Sequence, residues 1–135
     1  MDCIFCKIIS GDIQAKILHE TNNSISFLDA FPLTKGHVLV IPKKHHPKIQ
    51  DLSNEENIDL FSLVHMMMPK IDSISGATLI AIHNGKEAGQ EIPHVHVHLV
   101  PRSSNDSAGP IHSMFTSELK LTESELDDIC NKLKF

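Results

Sequence analysis

Residues 94–100 of the chain, which read HVHVHLV, alternate imidazole and aliphatic side chains. Because successive side chains of a β-strand point to opposite faces, this alternation predicts a strand with His94, His96 and His98 on one face. The aliphatic residues between them then enter the core. Three imidazoles in a row are a poor solution to packing, since each ring needs hydrogen-bond partners. The segment therefore predicts a sheet with a chemical site on one face.

The remaining patterns predict an α+β fold built on a five-stranded antiparallel sheet. Strand-like runs occur at residues 15–19, 24–29, 36–41, 78–82 and 94–100. Short turns link most of these runs, as is typical of antiparallel neighbours. Short helices are expected at the two ends of the chain, one over residues 2–9 with Asp2 as its cap and one after Thr122.

One long helix is expected between the third and fourth strands. Ser53 followed by Glu56 is a capping-box pattern, which marks the first turn of this helix. Pro69 has no backbone N–H to donate, so we expect it to kink or restart the helix. The expected apolar stripe consists of Ile58, Phe61, Val64, Met68 and Ile71.

Length and charge exclude several classes of function. The 135 residues, 41% of them hydrophobic, are the size of one domain with a core. A formal net charge of -5 offers no broad positive field, so nucleic acid is not expected as a partner. No apolar run approaches the ~20 residues of a membrane-spanning helix, and the first ten residues do not resemble a secretion signal. We therefore expect a cytoplasmic protein that does not bind membranes.

Two of the three cysteines, Cys3 and Cys6, have the C-x-x-C spacing. In a cytosolic chain this spacing indicates metal or redox chemistry more than a disulfide framework. Two small apolar residues at the start of a helix are the simpler interpretation, and the spacing alone leaves both open.

The chain has 10 histidines beside 12 lysines and arginines together, which is an unusual excess. His19, His65 and His112 are interpreted as ordinary surface or core residues, while His46 and His83 stay unassigned. The histidines of residues 94–100 diverge along a flat strand, so they form a metal site only if other segments complete it.

A nucleophilic histidine has different needs from a metal ligand, namely one central ring held by its neighbours and facing an electrophile. The loop before the histidine segment contains Gly85, Gly89 and Gln90. Glycine permits close approach of backbone N–H groups to phosphate oxygens, and glutamine adds a neutral amide donor. These flanks favour nucleophilic attack on a phosphate.

Four segments resemble the histidine-triad (HIT) superfamily of nucleotide hydrolases and transferases. They read CIFCKII at 3–9, GHVLVIPKKH at 36–45, AGQ at 88–90 and the H-φ-H-φ-H-φ-φ signature at 94–100, in the family's order. The C-x-x-C opening is typical of a zinc-type, Hint-like branch. The resemblance implies a single domain over residues 1–135 with a core at 2–102 and a C-terminal extension at 103–135. It also implies a homodimer in which two five-stranded sheets join into one of ten strands.

By this likeness the substrate is a purine nucleoside phosphoramidate or a related adenylate, attacked at its α-phosphate. His96 would attack phosphorus and form a covalent nucleotidyl-histidine, which water then hydrolyses. A backbone carbonyl can hold one nitrogen of His96 as N–H and leave the lone pair of the other free. His98 and His37 would orient the phosphate and the rings, and His94 completes the implied catalytic set.

The resemblance also implies the contacts to a bound nucleotide such as AMP or an adenosine phosphoramidate. Asn84 and Gln90 would contact the phosphate or its surroundings, and Asp29 would accept hydrogen bonds from the ribose hydroxyls. Apolar walls can pack on either purine, which predicts weak base discrimination. The implied base pocket consists of Ile4, Phe5, Ile8, Ile13, Phe27 and Leu28.

Relatives with the C-x-x-C opening often bind a structural zinc, and the resemblance implies that Cys3, Cys6, His45 and His94 hold it here. Four protein ligands make a closed site, as structural zinc prefers. The four ligands can converge if the third and fifth strands are antiparallel. The end of the third strand, near His45, then meets the start of the fifth strand, near His94. His46 is the alternative third ligand.

Two positions depart from the family pattern beside the leaving group. Glu91 stands where phosphoramidases often have serine, and Pro93 replaces a larger residue. A carboxylate repels a polyphosphate, so Glu91 favours a small leaving group. The alternative functions are a dinucleoside polyphosphate hydrolase, a noncatalytic nucleotide- or zinc-binding regulator, and a metal-dependent redox protein that uses Cys3 and Cys6.

Overall fold

The computed structural model describes residues 2–135, and its centre is one five-stranded antiparallel sheet. The strands are β1 (Ile17–Glu20), β2 (Ser24–Leu28), β3 (Val38–Pro42), β4 (Thr78–Ala81) and β5 (Val97–Pro101). Their spatial order is β1-β2-β3-β5-β4, so β5 lies between β3 and the edge strand β4. The expected α+β fold on five antiparallel strands is confirmed.

Three α-helices accompany the sheet within residues 2–135. They are α1 (Ile4–Ser10), α2 (Asn54–Ser75) and α3 (Glu123–Leu133). The long helix α2 begins at the predicted capping box, in which the side chains of Ser53 and Glu56 each accept a hydrogen bond from the other's backbone N–H. The cap predicted for Asp2 is wrong, because its carboxylate pairs with Lys7 Nζ at 2.8 Å and α1 has no side-chain cap.

The buried face of α2 differs in part from the predicted stripe. Ile58 is 59% exposed and Phe61 is 39% exposed, although both belong to the expected apolar stripe. Apolar residues occur on two sides of this helix, and both sides have helical spacing. The restart expected at Pro69 is also wrong, because α2 runs as one helix to Ser75. The buried apolar residues are Leu60, Leu63, Val64, Met67 and Ile71.

Each face of the sheet buries its own cluster. The face that packs against α2 contains Val38, Val40, Val95, Val97 and Leu99. The opposite face, which packs against α1, contains Phe5 together with Ile25, Phe27, Leu39 and Ile41. The aliphatic residues of the HVHVHLV segment therefore enter the α2 core, as alternation predicts, and the imidazoles are left to the α1 face.

The strand β5 begins at Val97 and not at His94, so the predicted strand boundary is wrong. Val95 N donates to His46 O at 2.8 Å, which lies outside the sheet. The chain thus leaves the hydrogen-bonded ladder before β5. His94 lies in this segment, and its ring meets Cys3, Cys6 and His45 on the α1 face.

The buried residues lie between Cys3 and Pro101 of the part of the chain that the structure describes. The predicted single domain with an extension at 103–135 stays a prediction, as does the cytoplasmic location. Leu79 and Ile80 are exposed on the edge strand β4, where a second sheet can pair, and the homodimer stays a prediction. Within residues 2–135, no helix is both long enough and apolar enough to cross a membrane.

Candidate active site and metal cluster

His96 is 7% exposed, and its orientation is set by the backbone beside it. The Nδ1 atom lies 2.7 Å from the carbonyl oxygen of His94. Since a carbonyl only accepts, Nδ1 carries the hydrogen and Nε2 keeps a free lone pair, as expected from the sequence. Phe5 packs edge-on against the ring with 5.0 Å between centroids. Burial lowers the pKa of His96, which keeps the ring neutral and nucleophilic near pH 7.

A chain of hydrogen bonds sets the tautomer of His98. Leu33 N donates to His37 Nδ1 at 3.0 Å, so the hydrogen of buried His37 is on Nε2. That nitrogen lies 3.0 Å from His98 Nδ1 and 3.6 Å from Asp29 Oδ2, and it donates over the shorter distance. His98 Nδ1 is therefore an acceptor, and its Nε2–H is free for a ligand. Burial and then the neighbouring imidazoles lower the pKa of His98 to about 4, which keeps it neutral.

His96 and His98 line a cavity of about 710 Å³, a size typical of small-molecule sites. Asp29 also lines the cavity, and its Oδ1 accepts a hydrogen bond from Phe31 N at 2.9 Å, which holds the carboxylate in place. The structure brings all the apolar residues predicted for the base pocket into the same wall. They are Ile4, Phe5, Ile8, Ile13, Phe27 and Leu28.

Asn84 and Gln90 are not brought to the cavity wall. Gln90 Oε1 accepts from Gly85 N at 2.8 Å, and its Nε2 donates to two backbone carbonyls at 2.8 and 3.0 Å. The side chain of Asn84 makes two hydrogen bonds to residues 49–50. Both amides hold the loop before β5 together. The contact of these amides with the phosphate or its surroundings stays a prediction.

His83, which the sequence left unassigned, also lines the cavity, together with Gly89 and Glu91. Its ring centroid is 5.5 Å from that of His98. The sequence places His83 directly after a predicted strand, which is a common position for a site residue. Assigning it to the site also requires the strand order, because the antiparallel pairing of Ala81 with His98 brings the end of β4 to the triad.

A second cluster consists of Cys3, Cys6, His45 and His94, whose ligand atoms all lie within 4.8 Å of one another. His94 Nδ1 is 3.6 Å from Cys3 Sγ and 3.7 Å from Cys6 Sγ, and His45 Nδ1 is 3.4 Å from Cys6 Sγ. Tetrahedral coordination with ligands at ~2.0 to 2.3 Å separates nitrogen from sulfur by about 3.6 Å. The four side chains are therefore arranged to hold one metal ion.

The ring of His94 is prepared for a metal by a hydrogen bond on its far side. Its Nε2 donates to the Pro42 carbonyl at 2.8 Å, so Nδ1 presents a lone pair to the cluster. His46, the alternative ligand, is turned away, with Nε2 2.8 Å from Glu56 Oε2. The cluster and the active site share His94, because its ring belongs to the cluster and its carbonyl holds His96.

Lowering the pH is expected to destabilise the fold through His98. Its pKa is about 4 in the folded chain against an ordinary value of 6.5, so the unfolded chain binds more protons between these values. The stability that neutral His98 contributes is complete above pH 6.5 and is lost as the pH falls through 4. Calorimetry on equally metal-loaded proteins should show a steeper fall of Tm for the wild type than for His98→Asn. Parallel Tm curves would contradict this role.

Residues 10–105 match the family described as the HIT domain. The chain is 42% identical over 106 residues to adenosine 5'-monophosphoramidase hnt1 of Schizosaccharomyces pombe, and this alignment covers 78% of each protein. It is 35% identical over 116 residues to the asymmetrical bis(5'-nucleosyl)-tetraphosphatase of the same organism, which covers 84% of this chain and 63% of that one.

Solved structures have the same fold. A HIT family member from Bacillus subtilis aligns with a TM-score of 0.84 and 30% identity, over 98% of this chain and 95% of that one. A zinc-bound histidine triad family protein from Mycobacterium smegmatis aligns with a TM-score of 0.68 and 38% identity, over 79% of each chain. With its triad, its sheet order and a match over most of its length, the chain belongs to the HIT family.

Proposed function

We propose that the protein is a nucleotide hydrolase or transferase that acts on purine nucleoside phosphoramidates and related adenylates through a covalent nucleotidyl-His96. One observation carries this proposal. The His94 carbonyl holds the Nδ1–H of buried His96, which leaves the Nε2 lone pair free in the wall of a cavity large enough for a mononucleotide. The similarity to a phosphoramidase at 42% identity supports the same class of reaction.

The proposed reaction uses neutral groups to bind an anion. The apolar wall would hold the purine, and Asp29 would accept hydrogen bonds from the ribose. His98 Nε2–H would donate to a phosphate oxygen while His96 Nε2 forms a bond to phosphorus and the leaving group departs. Water then attacks phosphorus and breaks the bond to His96, so one difficult displacement becomes two easier ones. Because the donors are neutral, a net charge of -5 does not oppose the ligand.

A panel of four substrates tests this assignment. It contains adenosine phosphoramidate, an aminoacyl adenylate, a dinucleoside polyphosphate and a nucleotidyl sugar, with kcat/KM measured for each. The phosphoramidate and the aminoacyl adenylate should have the highest values. A clear preference for the dinucleoside polyphosphate would instead support the second candidate, which the similarity to a tetraphosphatase favours.

Glu91 distinguishes these two candidates, because it lines the cavity and, by the family resemblance, would lie beside the leaving group. Replacing Glu91 by Gln removes a negative charge without changing the shape of the side chain. We expect kcat/KM for diadenosine tetraphosphate to rise by about threefold to tenfold at low salt, and less at high salt. The value for adenosine phosphoramidate should change little.

Glu87→Gln is the matched control for this charge effect. Glu87 is an exposed carboxylate of the same loop that does not line the cavity. A gain of the same size in both variants, or a gain that salt does not reduce, would contradict the repulsion assigned to Glu91.

We also propose that the cluster of Cys3, Cys6, His45 and His94 holds a structural zinc ion. Two neutral nitrogens and two thiolates form a closed set, which suits a structural rather than a catalytic metal. Burial and then the neighbouring Cys3 raise the pKa of the Cys6 thiol, so its thiolate requires a cation beside it. The zinc-bound relative at 38% identity is consistent with this metal.

A further inference from the structure

His83 is an imidazole of the cavity wall that the proposed reaction leaves unused. It is half-buried, its ring centroid lies 5.5 Å from that of His98, and it packs under the backbone of Gly89. A Cβ at Gly89 would lie 3.7 Å from His83 Cδ2, which is van der Waals contact, so the ring lies directly beside this glycine. Within residues 2–135, neither ring nitrogen of His83 has a hydrogen-bond partner. The ring is therefore placed at the site with its nitrogens available.

The sheet order puts His83 on the side of the triad where a leaving group would lie. The apolar wall comes from α1 and β2, which lie on the β3 side of β5. His83 follows β4, which lies on the other side of β5, and it also lines the cavity. A nucleotide with its base on the apolar wall and its phosphorus at His96 directs its leaving group toward His83.

The reaction requires a proton at this position. An amine leaves phosphorus readily only if its nitrogen is protonated as the P–N bond breaks. His98 does not suit this task, since its pKa of about 4 leaves it a neutral N–H donor at pH 7. Imidazole is the side chain that most readily exchanges a proton near neutral pH.

We propose that His83 is the general acid for the leaving group and the general base for the attacking water. This inference rests on the proposed function. As His96 Nε2 bonds to phosphorus, the electron pair of the P–N bond goes to the leaving nitrogen. This nitrogen takes a proton from the imidazolium form of His83, which becomes neutral. Neutral His83 then accepts a proton from water as the water oxygen bonds to phosphorus and the bond to His96 breaks. Both imidazoles return to their starting states.

Two substrates with different leaving groups test this role in the full chain. An adenosine N-alkylphosphoramidate needs a proton on its leaving amine, whereas the p-nitrophenyl ester of AMP releases a stable anion. For His83→Asn we expect kcat/KM to fall by about 100-fold or more with the phosphoramidate and by no more than about threefold with the ester. Because water attack is also slowed, the ester should give a burst of p-nitrophenolate followed by a slow phase.

His83→Gln is the second variant, and His65→Asn is the matched control on the exposed side of α2. Equal losses on both substrates, or no loss on the phosphoramidate, would overturn the acid role of His83 while leaving the covalent mechanism in place. Wild-type protein that forms no nucleotidyl-enzyme with either substrate would instead contradict the proposed function itself. Circular dichroism of each variant is the check that it is folded.

Discussion

Replacing His96 by Ala is expected to lower the turnover of adenosine phosphoramidate by at least about 10⁴-fold, because the nucleophile of a covalent mechanism is lost. The His94 carbonyl that holds His96 is a backbone group and stays in place. Purified variant and wild type are compared by the rate of AMP release. The change in Tm should be modest, since the cavity left by the imidazole opens into an existing cavity.

Two further measurements separate loss of chemistry from loss of structure. AMP should still bind His96→Ala, because the apolar wall and Asp29 are unchanged. Rapid alkaline quenching should trap a nucleotidyl adduct on the wild type and none on the variant, and His65→Ala should behave as the wild type. AMP binding without any adduct on the wild type would support a noncatalytic regulator. Undiminished turnover by His96→Ala would show that His96 is not the nucleophile.

The HVHVHLV pattern predicted correctly which residues of this segment enter the core, because alternation between two faces is a local property of the chain. It did not predict that β5 begins at Val97. The departure depends on the bond from Val95 N to His46 O and on the bond from His94 Nε2 to Pro42 O. Both join residues far apart in sequence, and no local pattern contains them.

The buried face of α2 is a second feature that the local sequence pattern could not predict. Ile58 and Phe61 have helical spacing as good as that of Leu60 and Leu63, yet the sheet packs against the second pair. Periodicity locates a helix and its possible faces, whereas the choice between two apolar faces depends on the partner surface.

The residues of the candidate site could be predicted where they belong to short sequence motifs, but not where they lie in loops. The structure brings together His37, His96 and His98, as the resemblance to the family implied. Asn84 and Gln90 lie in the loop before β5, and their hydrogen bonds to residues 47–50, 85 and 92 are contacts that no short motif predicts. His83 reaches the cavity through the strand order, so neither its spacing nor its neighbours in sequence could assign it.

His94 links the two centres of the molecule. Its Nδ1 faces the cysteine sulfurs, its Nε2 is held by Pro42, and its carbonyl fixes the tautomer of His96. A metal bound at the cluster would therefore hold the backbone that orients the nucleophile.

Replacing Cys3 by Ser is expected to abolish stoichiometric zinc binding and to lower Tm by about 10 °C or more. A bound ion stabilises the folded state by RT ln(1 + [L]/Kd), which is about 4 kcal/mol at a free concentration of 1,000 Kd. For a chain of this size each kcal/mol corresponds to roughly 2 to 5 °C in Tm. Elemental analysis of protein purified without chelators measures the zinc, and calorimetry measures the Tm.

Cys130→Ser is the matched control, because Cys130 is exposed on α3 and takes no part in the cluster. It should keep both its zinc and its Tm. In the wild type, a thiol reagent should modify Cys130 at once and should reach Cys3 and Cys6 only after a chelator is added, since metal-bound thiolates are protected. Wild-type protein without zinc would reject the site. Reversible oxidation of Cys3 and Cys6 in the zinc-loaded protein would favour the redox alternative, because a closed structural site holds its thiolates out of such chemistry.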